Sequence, residues 1–206
     1  MRIQIFTDAW SPQINGVVRT LKTTTQVLTQ QGHAVDVVAP DRFLTYSCPT
    51  YPEIQLPFNP AWRMSRIIED FSPQAIHIST EGPIGWAARR YCQAHQIPFS
   101  TSFHTRFPEY IKSRIGLPRR WMYLLLRRFH RPAENTMVPT PTVLQNLKTR
   151  GFDHLSLWTR GVDTNLFHPH KKKTELILSK NRPVLLYVGR VAVEKNLQAF
   201  FNLKTE

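Results

Sequence analysis

Cysteine is nearly missing from this chain of 206 residues, where Cys48 and Cys92 are the two present. Two such residues neither build a disulfide framework nor have metal-ligand spacing, so a reducing cytosol is the simplest setting. Long hydrophobic runs are missing as well. No apolar stretch approaches the roughly 18 residues of a membrane-spanning helix. The opening Met1-Arg-Ile-Gln-Ile-Phe-Thr-Asp8 turns polar too soon for a signal peptide. Acidic residues are scarce: 14 Asp and Glu stand against 27 Lys and Arg, a formal charge of +13, with a pI near 10.3. That imbalance selects anionic partners, whether nucleotides, nucleic acid or an acidic membrane face. No helix-turn-helix, zinc-ligand or RNA-recognition pattern occurs, and the cations are scattered, which counts against a nucleic-acid-binding module.

What is there is an alternation of strand and helix signals. Arg2 to Thr7 reads as a strand, Asp8 to Gly16 as a loop, Val17 to Gln31 as a helix stopped by Gly32, and Ala34 to Ala39 as a second strand. The unit recurs in a strand at Ala75 to Ser79, a helix at Ile84 to Ala94, and a strand at Phe99 to Phe103 ending on His104. A strand at Met137 to Pro139, a helix at Thr142 to Arg150 and a strand at Leu155 to Thr159 continue it. Pro49 to Pro60 reads as an irregular excursion before a helix near Trp62 to Phe71. Such alternation predicts an α/β fold with a Rossmann-like, doubly wound parallel sheet, whose ligands bind beyond the carboxyl ends of the strands. Asn15-Gly16, Glu81-Gly82 and His104 all fall at such ends.

Near the end, Val184 to Val188 is a short apolar run, Gly189 turns the chain, and Glu194 to Leu203 has helical spacing. A strand feeding a helix through a glycine turn suits phosphate, and Arg190 and Lys195 flank this one. The domain reading is a first domain over 1–167, a linker over 168–181, and the first strand and helix of a second domain over 182–206.

These pieces, in this order, resemble the family 4 glycosyltransferases, retaining enzymes of the two-domain GT-B fold. The matching segments are Thr7-Asp-Ala-Trp-Ser-Pro-Gln-Ile-Asn-Gly-Val-Val-Arg-Thr20, Glu81-Gly-Pro-Ile-Gly85, Ser102-Phe-His-Thr-Arg-Phe-Pro-Glu-Tyr110, Arg160-Gly-Val-Asp163 and Gly189-Arg-Val-Ala-Val-Glu-Lys-Asn196. The first and third look closest to GDP-mannose-dependent α-mannosyltransferases acting on lipid acceptors. The resemblance implies transfer of a hexose, mannose by subgroup, from a nucleotide-diphosphate sugar (GDP-mannose or a UDP-sugar) to a lipid or glycan acceptor. It implies His104 beneath the transferred sugar, Asn15 and Gly16 beside the donor diphosphate, and Arg190 and Lys195 neutralising the departing nucleotide. It implies no cofactor and no obligatory metal, since protein cations stand where Mg²⁺ stands elsewhere. Arg160-Gly-Val-Asp163 is read mainly as an architectural turn. The family's second domain carries the base pocket and a pair of Glu seven residues apart, and the sequence stops at Glu206 before either. As given, the chain is therefore expected to be a truncated, inactive half of the enzyme.

From Arg106 to Arg131 eight cations face a single carboxylate, Glu109. At helical spacing Trp121, Met122, Leu125, Leu126 and Phe129 share an arc of roughly 140°, with Arg120, Arg127, Arg128 and Arg131 opposite. Arg106, Tyr110, Arg120, Arg127 and Arg128 are the candidate acceptor or membrane contacts. This predicts a peripheral protein on the cytoplasmic face of an anionic plasma membrane. The alternative is a non-catalytic remnant that keeps the fold and binds acceptor or membrane.

Overall fold

The computed structural model describes residues 1–48, 51–104, 119–171, 185–189, 191 and 195–203. Contacts divide the chain into one unit over Met1–Arg160 and a second over Gly161–Glu206.

In the first unit, β1 (Arg2–Phe6), β2 (Ala34–Val38), β5 (Ala75–Ile78), β6 (Ser100–Ser102), β7 (Asn135–Val138) and β8 (Leu155–Leu157) form one sheet in the order β2-β1-β5-β6-β7-β8. Every pairing in it is parallel. The helices are α1 (Gly16–Gln30), α2 (Ala61–Phe71), α3 (Pro83–Ala94), α4 (Arg119–His130) and α5 (Pro141–Lys148). The expected Rossmann-like α/β arrangement is what forms. Strand order reverses between β1 and β5, so the ligand crevice of such a sheet lies where the β1 and β5 loops part.

Right-handed crossovers running opposite ways put α1 on one face and α2 to α5 on the other. The side chains agree. On β5, Ile76 and Ile78 are buried among Met64 and Ile68 of α2 and Ile84, Ala87 and Ala88 of α3, with Phe6 and Phe129. A second cluster joins Phe103, Tyr123, Leu126, Val138, Leu147 and Phe152 beneath α4 and α5. Phe129 has no exposed surface, and burying such a ring stabilises by about 1.5–3 kcal/mol. His77, between the two isoleucines of β5, points to the opposite face.

Helix boundaries follow local chemistry. Asn15 accepts hydrogen bonds from the Val17 and Val18 amides at 3.0 Å each and so caps α1. Gly32 ends that helix at φ +83, a left-handed stop that suits glycine. Helix α3 begins on Pro83, which needs no amide partner at that position. It sits hard against the end of β5: a Cβ on Gly85 would lie 1.9 Å from the Thr80 carbonyl oxygen.

Four expectations change. The stretch Pro49 to Pro60, expected to be irregular, instead contains β4 (Tyr51–Pro57), antiparallel to β3 (Thr45–Cys48). A two-stranded ribbon leaves half of each strand's amides unpaired in any case, so prolines at 52 and 57 are tolerated there. The strand expected at Val184 to Val188 is not one: residues 185–188 are irregular, with Leu186 and Val188 exposed. A parallel strand needs a neighbour, and among the described residues of the second unit no other strand exists. The helix expected over Glu194 to Leu203 shrinks to α6 (Leu197–Phe201). The fourth change concerns α4. Tyr123, Leu126, Phe129 and His130 are buried, while Trp121, Leu124 and Leu125 are 57%, 44% and 49% exposed. The buried arc is therefore rotated from the expected one, and Trp121 and Leu125 share the outer side with the arginines.

Candidate functional site

The crevice between the β1 and β5 loops is held by Asp8, just past the end of β1. Its backbone amide donates to Thr80 Oγ1 at 2.7 Å, and Thr80 Oγ1 donates back to Asp8 Oδ2 at 2.8 Å. Asp8 also accepts from the Ile84 amide at 2.9 Å and the Gly85 amide at 3.4 Å, so a carboxylate from β1 caps α3. Burial pushes its pKa up to about 6, against the amides and hydroxyl that hold it down. Gly82 is required beside it, since a Cβ there would lie 2.4 Å from the carboxyl group.

His104 stands two residues past β6. Its Nε2 lies 2.8 Å from Ser102 Oγ, and its Nδ1 lies 3.3 Å from Arg160 Nη2. Ser102 Oγ continues to His77 Nε2 at 3.1 Å, and His77 Nδ1 to Ser100 Oγ at 2.8 Å. The Trp158 ring packs on both imidazoles, with centroids 6.0 Å from His77 and 5.7 Å from His104. Burial lowers the His77 pKa to about 4. Burial first, then the Arg160 charge and His77, lowers that of His104 to about 3. Both rings are neutral across the physiological range. A neutral imidazole at a strand end can meet a developing positive centre or a hydroxyl without repelling it.

Gly16 opens α1, and a Cβ on it would come within 3.2 Å of Arg160 Nη1. Arg160 therefore ties Gly16 and His104, two expected residues, to one place. Asn15 is there too, but its Oδ1 is engaged in capping and its Nδ2 donates to Gln13 Oε1 at 3.2 Å. Asp163 accepts from the Asn165 and Leu166 amides at 3.0 Å each, an Asx turn in the second unit. Lys195 is exposed in that unit. Arg190, Arg106 and Tyr110 lie outside the described residues.

Next to this crevice, Glu81 Oε1 meets His130 Nε2 at 3.2 Å, and His130 Nδ1 meets Thr101 Oγ1 at 2.9 Å. The buried Arg89 guanidinium donates to the Phe129 and Arg128 carbonyls at 2.9 and 2.7 Å, closing the C-terminal end of α4. Arg120, Arg127 and Arg128 are exposed on α4, and so is Arg131 just past its end. With Arg89, Gln93, Leu124 and Pro132, the last three line a groove of about 460 Å³ that has no carboxylate. Like charge shows in Arg89 itself, whose pKa is lowered by burial and then by Arg128 and Arg90.

Sequence reading missed Asp8, Thr80, His77, Ser102, Trp158 and Arg160. Asp8, Ser102 and Arg160 stood inside the segments that carry the resemblance, but nothing local tied Asp8 to Thr80, or Ser102 and Arg160 to His104.

A parallel α/β sheet with polar side chains converging beyond its strand ends defines a ligand-binding domain of the nucleotide-fold class. The model of Glycosyltransferase Family 4 matches residues 14–166, and the chain belongs to that family. Its fold is that of the N-terminal half of a GT-B glycosyltransferase. It is 25% identical over 226 residues to a GDP-mannose-dependent alpha-mannosyltransferase of Mycobacterium tuberculosis, covering 98% of this chain and 59% of the relative. It is 29% identical over 163 residues to the sulfoquinovosyl transferase SQD2 of Arabidopsis thaliana, covering 75% of this chain and 32% of that one. It is 25% identical over 231 residues to an alpha-monoglucosyldiacylglycerol synthase of Streptococcus pneumoniae, with 97% and 51% covered. The chain thus spans about half the length, or less, of these curated relatives. Among the described residues no helix is long and apolar enough to cross a membrane.

Proposed function

We propose that this chain supplies the N-terminal half of a retaining hexosyltransferase that moves mannose from GDP-mannose to a lipid or glycan acceptor. The observation that carries the reading is the neutral His104 at the end of β6, joined through Arg160 to the Gly16 turn of α1. In this reading the diphosphate approaches Gly16, where a side chain would obstruct it, and the sugar lies over His104. As the glycosidic bond breaks, negative charge collects on the departing diphosphate and positive charge on the sugar carbon. Cations neutralise the first, a role that the resemblance gives to Arg190 and Lys195, and the uncharged imidazole meets the second, so fixed groups lower the barrier. No metal is required, and chelation by EDTA leaves transfer unchanged.

The test joins this chain to the second domain of the mycobacterial relative and follows hexose transfer from GDP-mannose to lipid acceptors. The joined protein transfers hexose, the chain alone does not, and His104→Ala in the joined protein loses about 100-fold or more in kcat. A joined, folded protein that binds GDP-mannose without transferring hexose refutes the reading and favours a non-catalytic domain.

Support for a lipid acceptor comes from α4, whose outer side combines Arg120, Arg127 and Arg128 with exposed Trp121, Leu124 and Leu125. Each basic residue near an anionic leaflet contributes about 1 kcal/mol. On this reading the protein works at the cytoplasmic face of the plasma membrane. Co-sedimentation with anionic vesicles should weaken with salt, and equal binding to neutral vesicles would contradict it.

A further inference from the structure

Arginine is a donor with no acceptor atom, so its contact with His104 fixes a proton. With Arg160 Nη2 at 3.3 Å, His104 Nδ1 must present its lone pair. The ring proton then sits on Nε2 and is donated to Ser102 Oγ at 2.8 Å. Ser102 has one hydrogen to pass on, to His77 Nε2 at 3.1 Å or the Ser79 carbonyl at 3.4 Å. Both nitrogens of His104 are thereby engaged, and neither is open to a sugar hydroxyl.

The arginine that closes Nδ1 is itself weakly held. It is exposed and forms no ion pair with any described residue. Its other terminal nitrogen lies over the Gly16 turn, 3.2 Å from the place a Cβ would take. A guanidinium resting on an imidazole lone pair gives way to an oxyanion, because a forked pair of bonds to a charged phosphate replaces a single bond to an uncharged nitrogen.

We propose that Arg160 is a positioning residue of this site. It holds His104 in one tautomer through Nδ1, and the phosphate oxygens of a ligand compete for its guanidinium, which leaves Nδ1 free to accept a hydrogen bond from a sugar hydroxyl. Arrival of the anion and availability of the histidine become one event. A neutral sugar, bringing no oxyanion, finds the imidazole occupied. The inference deepens the proposed function and rests on its assignment of a phosphate-bearing ligand to the Gly16 turn.

The test is side-chain ¹H–¹⁵N NMR of the uniformly labelled full chain, with the His104 signal assigned by its loss in His104→Gln. At neutral pH the wild-type signal should be that of the Nε2–H tautomer. In Arg160→Ala it should become a mixture of tautomers, and its titration midpoint should rise from about 3. Arg160→Lys, which keeps the charge but not the fork, should fall between the two. Inorganic pyrophosphate should move the Nδ1 resonance of the wild type and leave that of Arg160→Ala in place. Circular dichroism checks that the variants fold. An Nδ1–H tautomer in the wild type, identical His104 signals in wild type and Arg160→Ala, or no pyrophosphate effect in the wild type would each overturn the proposal. So would an equal pyrophosphate effect in both proteins. Failure of the parent reading looks different: the two-domain protein shows no sugar transfer while these signals behave as described.

Discussion

The two faces of the central sheet obey different rules. The face under α2 to α5 is mainly apolar: Phe6, Ile76 and Ile78 pack against Met64, Ile84 and Phe129 of the helices, with the Thr101–His130 contact as a polar exception. On the other face, the same strands β5 and β6 present His77, Ser100 and Ser102, joined to one another and to His104 by hydrogen bonds. Apolar contact is non-directional and tolerates sliding. A chain of donors and acceptors fixes each atom's role, so the first face holds the domain together while the second sets protonation at the strand ends.

The contrast can be broken from the packed side first. Phe129→Ala should cost about 3–5 kcal/mol in chemical denaturation, through lost burial plus the cavity left behind. Its effect should be a parallel offset at every pH. His77→Ala should cost less, about 1–3 kcal/mol, because it leaves two serine hydroxyls short of a partner, and it should also change the pH dependence.

The direction follows from the shifts. His77 and His104 titrate near 4 and 3 in the fold, below the ordinary 6.5. The unfolded chain therefore binds more protons in that interval, and their contribution is complete above 6.5 and lost as pH falls through 4 and 3. Asp8 works the opposite way. Its folded value of about 6 exceeds 3.8, so its contribution is complete below 3.8 and lost as pH rises through 6. Denaturation midpoints across pH 3.5 to 7 should show a shallower acid-side slope in His77→Gln and a steeper one in Asp8→Asn. An unchanged slope in both variants would mean the polar face does not set the pH response.

The smallest effect belongs on the outer side of α4. Trp121→Ala should alter stability by no more than about 0.5 kcal/mol, because the ring is 57% exposed. Its loss should appear instead in vesicle co-sedimentation.

Much of the architecture was legible because strands and helices carry local signatures. Gly32, Pro83 and the apolar pattern of β5 announce their roles without reference to anything distant. The hairpin at Thr45 to Pro57 was not legible, since prolines argue against a strand unless one knows that the strand is half of a two-member ribbon. The run at Val184 to Val188 failed in the opposite sense: its composition suits a covered strand, but the second unit offers it no described neighbour. For α4, periodicity found an amphipathic helix but misplaced its buried arc. Tyr123 and His130 are drawn inward by Arg150 over the tyrosine ring at 4.3 Å and by Glu81 and Thr101. Those partners are remote in sequence. At the site, His104 and Gly16 could be named from the chain because each sits in a distinctive segment. Arg160 could not, because its meaning lies in two contacts to residues 56 and 144 positions away.

Asp8 also decides which helix mouth an anion can use. Two positive helix ends open near the parting of β1 and β5, those of α1 and α3, and by dipole alone they would compete for the same guest. The carboxylate tucked into the amides of α3 silences one of them with a charge from within. On the proposed function, a negatively charged visitor is disfavoured at α3, whereas at α1 it meets the neutral Asn15 cap and no acidic residue in the first turn, so the crevice would sort the head and tail of a bound molecule by charge.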